Sequence, residues 1–308
     1  MRAAVLRAHG ASPVCGEFDA PRAAHGQVVV DVEAAGVNHL DLLKASGRFY
    51  TGPPPVPSVV GSDGVGRLAD GRRVFFDAAV APYGSMAEQA LVRESALFDV
   101  ADGIDSTVAA ALGNAGLAAW LVLEWRARLQ PGETVLVLGA AGAVGSAAVQ
   151  IAKALGAGRV IAADLPQARL GRLGADAVVE LDDDPAAALR DAAGEGVDVI
   201  VDPLWGPPAV AAMSVARRGA RHVQLGHMAS ETLELPAPLV RSAELDIMGF
   251  AIFHAPADVR RDAYLRLTEL AAQGRLNVDV DVIPLDDVAT AWERQRQGAN
   301  AKLVIACR

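Results

Sequence analysis

The sequence predicts an α/β protein in which a doubly wound parallel sheet is joined to an irregular β domain. Three observations predict it. Apolar strand-like runs alternate with helix-like segments from about residue 132 to 247, and a glycine-rich turn stands at the first strand-to-helix junction. Residues before about 112 instead break into short alternating pieces punctuated by Gly and Pro. The 308 residues, 52% of them apolar, suffice for about two domains with a sizeable core. Subtracting 37 acidic from 28 basic side chains leaves a net charge of −9, which argues against nucleic acid or an anionic membrane as partner. Cys15 and Cys307 alone make no disulfide framework, and the opening residues lack the apolar core of a signal peptide, so a cytoplasmic location is expected.

Taken in order, residues 28–33 and 73–76 read as strands, with Pro53, Pro54, Pro55 and Pro57 breaking the pattern between them. Two uncharged stretches, 106–123 and 135–152, approach membrane-spanning length. Gly113, Asn114 and Gly116 interrupt the first, and the second changes from strand to glycine turn to helix, so both read as buried core. The apolar run 134–138 fits a strand buried on both faces of a parallel sheet. Gly139-Ala-Ala-Gly142-Ala-Val-Gly145 follows and leads into a helix over 146–155 that Gly156 stops.

A pyrophosphate needs free backbone N–H groups and the positive end of a helix, and side chains at the turn would hold it away. Gly142 and Gly145 are expected to supply that clearance, with Gly139, Ala143 and Val144 completing the turn. The next strand, 159–163, ends at Asp164, 19 positions past Gly145. A carboxylate there accepts the adenosine ribose hydroxyls and repels a 2′-phosphate, which favours NAD over NADP. Arg169 points the other way if its guanidinium meets a phosphate; otherwise it lies on a solvated helix face. Further strands over 177–181, 197–201 and 221–225 and helices over 185–193 and 210–217 complete the sheet. Ligands of such sheets lie beyond the carboxyl ends of the strands, which adds Asp202, Leu225 and Gly226 to the cofactor-facing residues. Helices over 261–273 and 288–297 and a strand over 302–305 close the chain.

Gly36-Val-Asn-His-Leu-Asp41, Gly61-Ser-Asp-Gly-Val-Gly66, Tyr83-Gly-Ser-Met-Ala-Glu88, Gly116-Leu-Ala-Ala-Trp120, the turn from Gly139 to Gly145, Leu173-Gly-Ala-Asp176 and Ala301-Lys-Leu-Val304 recur in order along nearly the whole chain. In this the sequence resembles the medium-chain dehydrogenase/reductase superfamily, and within it the zinc-independent quinone oxidoreductase branch. The resemblance implies a GroES-like catalytic domain, residues 1–112 and 248–308, around a Rossmann dinucleotide-binding domain, 113–247. It also implies a homodimer paired through a last Rossmann strand at 248–253, next to which Phe250 would meet the cofactor. Lys302 matches the family's late Gly-Lys element, so it either contacts a cofactor phosphate or is a solvated lysine.

In that branch the residues matching Asn38 and Asp41 line the nicotinamide pocket. Asn38 would bond the substrate oxygen or the carboxamide, and Asp41 would hold the loop or merely cap a turn. The branch usually places a tyrosine eleven positions after the Asn; here Phe49 takes that place and Tyr50 follows. Tyr50 is the candidate proton donor, with solvent water as its competitor and an ordinary surface aromatic as its bland reading. Ala118 also departs from the usual Thr. Where zinc-dependent relatives carry a Cys this chain has Asn38, and two cysteines cannot build the thiolate sites that structural zinc requires. Hydride delivery from NAD(P)H to a quinone or an α,β-unsaturated carbonyl, a small-molecule substrate, is therefore the expected activity. A zinc-dependent alcohol dehydrogenase and a non-catalytic nucleotide-binding protein of the same fold are the alternatives.

Overall fold

The computed structural model describes residues 1–50, 52–166, 169–182, 185–299 and 301–308. Two compact units partition the chain, Met1–Leu117 together with Ala257–Arg308, and Ala118–Pro256 between them.

The first unit opens with β1 (Arg2–Leu6), β2 (Val14–Glu17), β3 (Gln27–Gly36), α1 (His39–Ala45), β4 (Ser58–Val59), β5 (Gly64–Arg67), β6 (Arg73–Phe76), β7 (Gln89–Arg93), β8 (Leu97–Asp99) and α2 (Ser106–Leu112). Along α3 (Asn114–Leu121) the chain passes into the second unit, which holds β9 (Thr134–Leu138), α4 (Ala143–Ala154), β10 (Arg159–Asp164), β11 (Ala177–Glu180), α5 (Ala186–Ala193), β12 (Val197–Asp202), α6 (Gly206–Met213), β13 (Ala216–Gln224), α7 (Ala237–Ser242) and β14 (Asp246–Gly249). Then α8 (Ala257–Ala272), β15 (Val280–Pro284), α9 (Val288–Gln297) and β16 (Lys302–Ala306) return to the first unit.

The second unit is a six-stranded parallel sheet in the order β11-β10-β9-β12-β13-β14, so the direction of winding reverses between β9 and β12. Val135, Leu136, Val137 and Leu138 on β9 and Val199, Ile200 and Val201 on β12 are fully buried, as an apolar run covered on both faces requires. In the first unit a seven-stranded sheet runs β15-β16-β3-β5-β6-β8, with β7 also on β3, beside a three-stranded sheet β2-β1-β4. Its core gathers residues remote in sequence, among them Val30, Val32, Phe76, Trp292 and Leu303. Tyr264 on α8 stacks on Phe75 with ring centroids 4.0 Å apart, and its hydroxyl donates to the Ala109 carbonyl at 2.8 Å.

Several expected boundaries move. The helix expected at 210–217 starts earlier as α6, because Pro207 and Pro208 fit a first turn and the Asp202 carboxylate accepts the N–H groups of Leu204 and Trp205 just before it. The last strand of the parallel sheet is β14, not 248–253; Ile252–His254 forms a 3₁₀ turn instead. A domain boundary at 248 would cut β14, whose pairing with β13 keeps it in the second unit. Among the described residues no single helix is long and apolar enough to cross a membrane. Ser106–Leu112 and Asn114–Arg126 reach that length and composition only as a pair bent by 45°, and Ala109, Ala110, Ala111 and Leu112 are buried.

Candidate functional site

In the second unit the chain leaves β9 through Gly139, whose φ of +59° lies in the left-handed region that a glycine adopts without strain. Gly142 is the N-cap of α4, no side chain caps that helix, and Gly142 and Ala143 are exposed. The first-turn N–H groups, at the positive end of the helix dipole, are thus available to an anion. Val144 is half-buried. Gly145 has a different task from the one expected: it is buried, and a Cβ there would lie 2.2 Å from the Gly139 carbonyl oxygen. Its missing side chain lets the helix pack on the strand and clears nothing for a ligand.

Asp164 ends β10, and its two carboxylate oxygens accept the N–H groups of Ala141 at 2.8 Å and Leu165 at 2.7 Å. The carboxylate therefore braces the glycine turn, and each oxygen keeps a further lone pair. Arg169 is half-buried just before the 3₁₀ turn Leu170–Arg172. Asp202, expected to face the cofactor, is fully buried and bonded within the protein. One of its oxygens accepts from Leu204 and Trp205 N–H, each at 2.8 Å, and the other lies 2.8 Å from His222 Nε2. Leu225 donates its N–H to the Asp202 carbonyl at 2.9 Å. Gly226 sits so close to Pro203 that a Cβ would lie 2.7 Å from its carbonyl oxygen. Phe250 follows β14, bonded through its N–H to Gln224 at 2.8 Å, with its ring edge-on to Trp125.

In the first unit a buried polar cluster forms around Asn38, the N-cap of α1. Its side-chain Nδ2 donates to Asp63 Oδ1 at 2.6 Å and to Asp41 Oδ2 at 3.2 Å, while its Oδ1 accepts from Lys302 Nζ at 2.6 Å. The amide is thus committed to protein partners, and a direct bond from it to substrate, as expected from sequence, is not the geometry found. Asp41 holds the loop by accepting the Asn38 backbone N–H at 2.9 Å. Its other oxygen accepts the Ser62 hydroxyl at 2.6 Å, and Ser62 in turn accepts from Lys44 Nζ at 2.9 Å. Asp63 also accepts the Asn114 backbone N–H at 2.9 Å. Lys302 is not solvated: it is buried, with a second bond to the Val37 carbonyl at 2.7 Å. The register of β3 with β16, Val304 opposite Gly36, explains it, since two further steps bring 302 opposite 38.

Burial pushes the Asp63 carboxyl up to about 6; the Lys302 ammonium pulls it back and the Asp41 charge adds to the rise. Burial likewise pulls Lys302 below the ordinary lysine value, against the attraction of Asp63 and Asp41. Tyr50 is 68% exposed with its ring on Phe49, which is buried. It does not line the cavity that Asp41, Lys44 and Ser62 border. A larger depression of about 520 Å³ elsewhere in this unit is walled by Arg67, Arg72, Arg73 and Asp99. Arg73 is already bonded there to the Ala101 and Ile104 carbonyls. Lys44, Ser62 and Asp63 were missed from sequence. Lys44 lies three positions after Asp41 on one helix face, which is the signal that was available.

Residues 143–269 match the family model described as zinc-binding dehydrogenase. Quinone oxidoreductase-like protein 2 of Mus musculus is 31% identical over 249 residues, 75% of this chain and 69% of that protein. The chain belongs to the medium-chain dehydrogenase/reductase superfamily. Polyketide synthase GfsB of Streptomyces halstedii is 36% identical over 211 residues, 65% of this chain, and the chain spans 4% of that protein's length. Among solved structures, the quinone oxidoreductase from Thermus thermophilus, also solved in complex with NADPH, matches with a TM-score of 0.84 at 29% identity over 99% of this chain and 100% of that one. The Rossmann sheet and the GroES-like β domain of a medium-chain dehydrogenase/reductase correspond to the second and first units.

Proposed function

We propose that this chain is an NAD(P)H-dependent oxidoreductase that passes hydride to a quinone or an α,β-unsaturated carbonyl without zinc. The observation that carries the reading is the uncapped, exposed start of α4 behind Gly139, with the Asp164 carboxylate at the end of the neighbouring strand. N–H groups there suit a pyrophosphate, the spare lone pairs of Asp164 suit ribose hydroxyls, and its charge disfavours a 2′-phosphate. NADH is therefore the proposed preferred coenzyme; when bound, it supplies the hydride. A second copy of the chain pairing through β14, the outermost strand of the parallel sheet, would make the homodimer that this reading includes.

Zinc does not fit the Asn38 cluster. The metal takes thiolate, imidazole or carboxylate ligands, whereas Asn38 offers an amide oxygen that already accepts the Lys302 ammonium. A cation at that distance repels a dication. Among the described residues no three His, Cys, Asp or Glu side chains gather to hold a metal. An alcohol oxidation would need such a Lewis acid to lower the hydroxyl pKa, and hydride delivery to a conjugated carbonyl does not.

Purified protein mixed with NADH or NADPH and a panel of quinones and enones is expected to oxidise the coenzyme. Tight nucleotide binding with no oxidation on any acceptor would instead mark a binding protein. Titration should show NADH held about tenfold more tightly than NADPH, about 1.4 kcal/mol, and Asp164→Ser should narrow that ratio. A wild type that prefers NADPH tenfold removes the coenzyme-selecting role from Asp164.

A further inference from the structure

The winding of the parallel sheet reverses between β9 and β12, and doubly wound sheets take their ligands in the crevice beyond the carboxyl ends of two such strands. The loops that leave those two ends touch. A Cβ on Gly139, the first residue after β9, would lie 3.1 Å from Pro203 Cγ and 3.2 Å from Leu204 Cδ2, in the first two residues after β12. Gly139 also accepts the Gly142 N–H at 3.0 Å, so the glycine turn is seated on Pro203 and Leu204. The same two residues carry the next loop: their carbonyls accept the N–H groups of Met228 at 3.1 Å and Ala229 at 2.9 Å.

The loop after β12 is under strain. Trp205 has a φ of +58°, a left-handed conformation that is costly for a bulky side chain. Asp202 holds it there, one carboxylate oxygen accepting the Leu204 and Trp205 N–H groups, each at 2.8 Å. The other oxygen depends on His222, whose Nε2 lies 2.8 Å away, with both side chains fully buried. Sheet register brings them together: Asp202 stands opposite Gln224, and His222, two residues earlier on β13, projects from the same face. A carboxylate only accepts, so Nε2 carries the hydrogen of that bond. Nδ1 has no partner among the described residues, so the one bond to Asp202 is the whole polar task of the imidazole. Without it an Asp202 oxygen is buried with no donor, a cost that is relieved by turning the carboxylate away from Leu204 and Trp205. Trp205 is then free to relax, and Leu204 beside it shifts off Gly139.

We propose that His222 is a positioning residue of the coenzyme site: acting through Asp202, it fixes Pro203 and Leu204 against Gly139 and so sets the crevice at the switch point before coenzyme arrives. The coenzyme part of this rests on the oxidoreductase reading above. His222 itself is buried and makes no contact with coenzyme, so its effect on binding runs through the strained loop alone.

The test compares full-length wild type, His222→Leu and His222→Gln by titration with NADH and NADPH, at a temperature where each is folded. His222→Leu is expected to raise the dissociation constant of the coenzyme that wild type prefers about tenfold, the scale of coupling between residues in one hydrogen-bonded network. His222→Gln, whose side-chain amide again offers Asp202 an N–H, should stay within about threefold of wild type. Unchanged affinity in His222→Leu, or equal losses in both variants, overturns the proposal. Should His222→Leu fail to fold, Asp202→Asn takes its place. The amide oxygen keeps Leu204 and Trp205 while its NH₂ faces Nε2, so the His222 hydrogen has to move to Nδ1, where no acceptor waits; wild-type affinity in that variant overturns the proposal equally. Hydrogen exchange without coenzyme is the second measurement. Amides of both 203–206 and 140–143 should exchange faster in His222→Leu than in wild type and His222→Gln, and exchange unaltered at 140–143 overturns the coupling. The coupled exchange in a wild type that binds neither NADH nor NADPH upholds the positioning of the turn and removes the oxidoreductase reading instead.

Discussion

Gly145→Val is expected to cost the second unit several kcal/mol of stability and to abolish nucleotide binding. A Cβ at 145 would lie 2.2 Å from the Gly139 carbonyl oxygen and 2.6 Å from Ala140 Cα, both backbone atoms that no rotamer can move. Relief requires α4 to lift from β9, and overpacking of this kind costs about 1–3 kcal/mol even where side chains give way. Gly142→Ala is the control. The residue is exposed, its φ of −70° suits any side chain, and a Cβ there would meet nothing closer than 3.3 Å. That variant should keep the wild-type melting temperature yet bind NADH more weakly, since its methyl group stands where the phosphate approaches. Thermal unfolding and nucleotide titration of both variants separate packing from ligand clearance. Equal melting temperatures for Gly145→Val and wild type would contradict the packing role.

Lys302→Met should be the second severe change, and its severity should depend on pH. The substitution leaves Asp41 and Asp63 buried without their cation and takes a donor from Asn38 Oδ1. Breaking a buried ionic arrangement by removing one member costs about 3–5 kcal/mol. The sign of the pH effect follows from Asp63, whose carboxyl is held at about 6 in the fold, against about 3.9 in an unfolded chain. A raised carboxyl stabilises the fold when protonated: that contribution is complete below the unfolded value and is lost as pH rises through the folded one. Without Lys302 to pull it down, the Asp63 carboxyl rises further. The deficit of the variant relative to wild type should therefore be largest at pH 8 and shrink towards pH 5. Denaturant melts at the two pH values measure it, and a deficit equal at both would show that Asp63 is not the group left uncompensated.

The second unit was the more legible from sequence because its signals are local. Strand 134–138, the glycine turn and Asp164 fall within about thirty residues, and their spacing fixes the strand-turn-helix-strand unit without reference to anything distant. Asp202 failed for a related reason. Its place at the end of a strand was evident, but its burial depends on His222, supplied by the next strand. The first unit was hardly legible at its site. Asn38 and Lys302 are 264 positions apart, and only the pairing of β3 with β16 brings them together. An isolated lysine near the end of a chain reads as solvated, and no periodicity announces that a strand register will bury it.

That pairing also imposes an order of assembly. The second unit is one uninterrupted stretch, Ala118–Pro256, and is complete before residues 257–308 are synthesised. The earlier-made unit has to wait, its central strand lacking a neighbour and its two inward carboxylates lacking their counter-charge until 302–306 emerge. During translation, then, the unit begun earlier closes later, and β3 is an open edge until β16 pairs with it.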